Sequence, residues 1–159
     1  MTRIGIVAFC ALVAAVPAAP MAEPDACTVL SADDIKTALG RKELAPPKPS
    51  RASGGYSDCR FPGAGAGDVR VTLSPALKDA KESFELKPEI YAAEGKSAEK
   101  ITGVGDGAYY WSDTVEFRVG TRIVSLWVNR TPGTEAPPAL KAALINLARR
   151  IADRLRAAG

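Results

Sequence analysis

The sequence predicts an α+β domain, an antiparallel sheet of about five strands with helices packed on it, in the order α-β-β-α-β-β-β-α. Three observations lead there. DVRVTL at 68–73 and TVEFRV at 114–119 alternate apolar and polar residues strictly, the pattern of half-buried antiparallel strands. Leu140, Leu144, Leu147, Ile151 and Leu155 make one long apolar stripe at helical spacing. Helical patterns are too few to alternate with strands as a parallel βαβ sheet requires.

Each element has its own signal. Ser31 and Asp34 form a capping box, Leu30 and Ile35 have staple spacing, and Gly40 supplies a stop, so a helix is expected at 31–39. The Pro-rich stretch 41–55 reads as a loop without regular structure. YSDCRF at 56–61 and DVRVTL, joined by PGAGAG, read as a hairpin. Ser74-Pro75 has the form of an N-cap with proline at the first helical position. Leu77, Ala80 and Phe84 then give a buried stripe until Pro88 kinks or restarts the helix, and Gly95 ends it. After a polar loop at 96–102, strands are expected at 108–112, 114–119 and 122–128, the last two joined by a Gly120-Thr121 turn.

The chain's 159 residues fit one domain after an export signal. Arg3 precedes the apolar run at 4–16, which is too short to span a membrane, and small residues follow. A signal peptide is therefore expected over 1–22, with cleavage after Ala18 or Ala22, leaving a single α+β domain at 23–159. Its removal takes Arg3 and Cys10 away and leaves Cys27 and Cys59, an even pair that reads as a disulfide in an exported chain. The expected location is the periplasm or the exterior, with no transmembrane segment after cleavage. The net charge of +3 gives no case for nucleic acid.

Chemistry is constrained by the lack of histidine, the side chain most used for acid–base work near neutral pH and the commonest metal ligand. No Ser or Cys sits in a nucleophile motif, and no catalytic residue, metal or cofactor is expected. The cluster Gly103-x-Gly105-Asp106-Gly107 opens an aromatic strand rather than a helix, so it reads as a tight turn and not a phosphate loop. Tyr109 and Trp111 should share one face of their strand, and Trp127 adds a further aromatic nearby. These three residues could line a groove for a small apolar molecule or peptide, unless a helix covers them. Arg149, Arg150 and Arg154 lie opposite the leucine stripe of the last helix and form a candidate interaction surface.

DACTVLSADDIKTALG, the later YSDCRF and ITGVGDGAYY resemble small exported bacterial envelope domains of unknown function. These begin with Cys-x-x-Leu and a short helix ending Ala-Leu-Gly, carry a second Cys in the first strand, and reach a Gly-x-Gly-Asp-type turn. Their plan is similar to the extracellular sensor domains of mycobacterial Ser/Thr kinases and to PsbP-like folds. The resemblance implies fold and compartment more than activity. The function expected is a non-enzymatic binding domain for an unknown small ligand. The alternative is an interaction or inhibitor module acting on an envelope protein.

Overall fold

The computed structural model describes residues 23–63, 67–130 and 137–158. The expected signal peptide and the middle of the PGAGAG turn lie outside the described residues. Seven strands pair antiparallel in one sheet, in the order β1-β2-β3-β7-β6-β5-β4. They are β1 (Lys48–Arg51), β2 (Ser57–Phe61), β3 (Asp68–Leu73), β4 (Glu99–Ile101), β5 (Gly107–Trp111), β6 (Thr114–Val119) and β7 (Arg122–Asn129). The helices are α1 (Ala26–Val29), α2 (Ala32–Leu39), α3 (Ala80–Glu85), α4 (Lys87–Ala93) and α5 (Leu140–Ala157).

The α+β class and the antiparallel pairing hold, but the strand count and element order are corrected. There are seven strands rather than about five, and the order is α-α-β-β-β-α-α-β-β-β-β-α. The two additional strands are the edges. β1 lies inside the stretch read as a structureless loop; its four residues are all exposed and include Pro49, so no alternation marks it. Proline at an edge sacrifices no central ladder bond. β4 has only three residues and falls in the stretch read as a polar loop.

A third correction concerns Ser74. It does not cap a helix, and α3 begins only at Ala80. Its hydroxyl accepts the Ile123 N–H at 2.9 Å and donates to the Pro75 carbonyl at 2.8 Å. The Leu77 N–H donates to the Thr121 carbonyl at 2.8 Å. These bonds stitch the segment to the start of β7, giving its backbone partners that a helix would otherwise supply.

The inner face of the sheet carries the core. Phe61, Val69, Val71, Leu73, Val115, Phe117, Val124 and Leu126 meet Leu30 and Ile35 from the N-terminal helices and Leu144, Leu147 and Ile151 from α5. The Cys27–Cys59 disulfide closes this layer, joining α1 to β2 with Cα atoms 5.0 Å apart. The expected capping box is present: Asp34 N–H donates to Ser31 Oγ, and Ser31 N–H donates back to the Asp34 carboxylate. Among the described residues no helix is long and apolar enough to cross a membrane.

Candidate functional site

The opposite, outer face is defined by register. One cross-strand row reads Lys48, Arg60, Arg70, Trp127, Thr114, Trp111. The next reads Ser50, Asp58, Thr72, Ser125, Glu116, Tyr109. Side chains in one row project from the same side of the sheet, about 5 Å from their neighbours.

Helices α3 and α4 cover only one end of this face. Phe84 stacks on Tyr109 with ring centroids 5.1 Å apart, and Tyr91 meets Trp111 at 4.6 Å. The Tyr91 hydroxyl donates to the Glu116 carboxylate, and the Lys87 ammonium sits 3.0 Å from the same group. Glu116 is 4% exposed, so two donors satisfy a carboxylate withdrawn from water. Trp111 carries the Lys96 ammonium 4.7 Å from its ring centroid. Its Nε1 is buried without an acceptor among the described residues.

Beyond α4 the sheet is open. A hollow of about 320 Å³ lies there, walled by Tyr91, Trp111 and Trp127 and floored by Thr114, Glu116 and Ser125. Trp127, half-buried, also borders a second hollow of about 180 Å³ with Arg60, Asp68, Arg70 and Asn129. The Arg70 guanidinium lies over the Trp127 ring, 5.3 Å from its centroid. A larger cleft, about 780 Å³, runs between the end of α2 and the start of α5. It borders Arg130 and Pro137, which flank the segment 131–136 outside the described residues.

No family model, curated protein or solved structure matches the chain. Function must be read from side-chain chemistry.

The three aromatic residues expected to share a surface divide. Trp111 and Trp127 line the hollow, whereas Tyr109 is packed beneath Phe84. Sequence reasoning missed Tyr91, Lys87 and Glu116. The strict alternation of TVEFRV assigns Glu116 to the polar face, and nothing in that pattern indicates that α4 would bury it.

The arginines of the last helix are engaged within the chain. Arg150 bonds the Asp34 carboxylate at 2.9 Å, and Arg154 bonds it at 2.6 Å while reaching the Val29 carbonyl at 3.1 Å. Arg149 donates to the Gly103 carbonyl and to Asn146. The Gly-x-Gly-Asp cluster is a turn: the Asp106 carboxylate accepts the Gly120 N–H at 2.7 Å, and a Cβ on Gly105 would lie 2.2 Å from the Arg118 carbonyl oxygen. Among the described residues no group of three His, Cys, Asp or Glu side chains converges as metal ligands would.

Proposed function

We infer that this chain is an exported, non-enzymatic binding domain and that its ligand sits in the hollow beside Trp127. The observation that carries this reading is the half-covered outer face. An antiparallel sheet is stable with one face solvated, yet here an aromatic-walled depression is left at the boundary between covered and open halves. Aromatic walls with a few polar groups at the base suit a small apolar molecule or a peptide side chain. Glu116 is the floor's one carboxylate, and it is held by Lys87 and Tyr91, which favours binding over proton transfer. The alternative of an interaction module working through the last helix has less support, because Arg150 and Arg154 tie α5 to Asp34 and Val29, and Arg149 ties it to Gly103, a structural role within the chain.

The test is a titration of the purified protein with the neutral apolar dye N-phenyl-1-naphthylamine, read by dye fluorescence. Saturable binding that weakens about tenfold in Trp127→Ala, the loss of about 1.4 kcal/mol, is expected. An absence of saturation, or equal affinity in the variant, removes the hollow as the site.

A further inference from the structure

We propose that the ligand is an amphipathic anion: a molecule whose apolar ring occupies the aromatic hollow and whose single acidic group is held by Arg60 and Arg70 across Trp127. This rests on the binding reading of the hollow and adds the chemical class of the ligand.

The carrying observation is a run of like charges. Lys48 stands directly opposite Arg60, and Arg60 directly opposite Arg70, on three adjacent strands of one face. Like charges at directly opposed positions destabilise a sheet. The compensating carboxylates lie lower: the Asp58 side chain is 4% exposed and that of Asp68 17%, while Arg70 and Arg60 remain 46% and 53% exposed. The second hollow beside Trp127 is thus lined by two exposed guanidiniums and one part-buried carboxylate, Asp68, which leaves it with an excess of positive charge. Arg70 bonds Asp58 through Nε at 2.7 Å, which fixes its guanidinium over the sheet while the side chain stays 46% exposed. A planar fork of this kind fits carboxylate, sulfonate or phosphate oxygens, and an anion there relieves the repulsion along the row.

The apolar part of the ligand follows from position. Trp127 is the next residue in the same row and borders both hollows, so an acidic group on Arg70 and a ring against Trp127 lie one strand spacing apart. A cationic ligand fits worse, since the hollow's carboxylate is already neutralised by Lys87.

Two dyes sharing one ring system separate the terms. 1-Anilinonaphthalene-8-sulfonate carries a sulfonate, and N-phenyl-1-naphthylamine does not. The protein should bind the sulfonate at least about tenfold more tightly at low salt, with the preference shrinking as salt rises. Arg60→Gln, at an exposed side chain, should bring the preference down about threefold or more while leaving the neutral dye within twofold. Lys48→Gln should act in the same direction, without disturbing a buried partner. Trp127→Ala should weaken both dyes. If the neutral dye binds at Trp127 and the sulfonate binds no better, or its preference survives Arg60→Gln and Lys48→Gln together, the anion assignment is overturned and the hollow stands. If neither dye depends on Trp127, both readings fall.

Discussion

Asp34 does three jobs with one carboxylate. It closes the capping box of α2, accepts from the Ser31 hydroxyl at 2.7 Å, and receives Arg150 and Arg154 from α5. Burial alone pushes its pKa up, but the bonds from Arg154, Ser31 and Arg150 outweigh that and hold it far below the ordinary 3.8. Asp58 behaves alike: burial opposes ionisation, while Arg70, Thr72 and Ser50 bring its pKa down. For Asp106 the Gly120 N–H is the largest influence and lowers the pKa, with Arg156 and Arg118 adding to it. A carboxylate with a depressed folded-state pKa contributes stability that is present above its unfolded value and lost as pH falls through the folded one. Thermal unfolding should therefore change little between about pH 7 and pH 5 and move to lower temperature as pH drops below about 4. Unfolding temperatures that hold steady to about pH 3 would contradict these assignments. Asp34→Ala should cost about 3 kcal/mol in denaturant unfolding, because it strands two arginines and removes a cap. A loss under about 1 kcal/mol would mean that the arginines re-solvate freely.

The elements show where the sequence was readable and where it was not. Local chemistry sufficed for α2, whose capping box and left-handed Gly40 stand as read and whose Leu30 and Ile35 are both in the core. It sufficed for β3, whose alternation matches the buried face, and for the existence of β6 and β7; in β6 both faces are buried, because Thr114 and Glu116 on the polar side are covered as well. It failed for β1 and β4, edge strands with exposed residues whose pairing is imposed by a neighbour rather than by their own pattern. It failed at Ser74, where a favourable helix start loses to backbone bonds from β7, far along the chain. The site divides along the same line. Trp111 and Trp127 were visible as aromatic residues in alternating strands, but Tyr91 and Lys87 reach the hollow only because α4 folds back over β5 and β6. The disulfide was legible by counting once export was assumed, and it ties α1 to β2 across a separation of 32 residues. A loop of that size gives about 3–4 kcal/mol in the chain-entropy account. Cys27→Ala/Cys59→Ala should lose about that much in a denaturant titration, and native protein should show no thiol at either position on labelling. Two reactive thiols in folded, exported protein would remove the tie.

At the scale of the molecule, the sheet is sandwiched unevenly, and the imbalance bears on dynamics and binding alike. The inner face is covered by α5 over β6 and β7 and by α1 over β2 and β3, with the disulfide and the Asp34 pairs tying these helices in. On the outer face α3 and α4 are anchored by Ala80, Phe84, Tyr91 and Lys87, while Leu86 and Ile90 stay 53% and 47% exposed. Few buried contacts define the segment that opens first, since local opening costs less than global unfolding wherever little apolar surface is lost. Amide hydrogen exchange should therefore be fastest, among the helices of eight residues or fewer on either face, at 80–93, and slowest in β3, β6, β7 and α5. Because Tyr91 and Lys87 line the hollow, a bound dye must bridge α4 to the sheet, and binding stabilises whatever it bridges by mass action. Saturation with 1-anilinonaphthalene-8-sulfonate should slow exchange across 87–93 and leave α5 unchanged. Protection that rises instead around 38–43 and 137–143 would place the dye in the cleft between α2 and α5, which reaches Val128 on the inner face, and not in the hollow at Trp127.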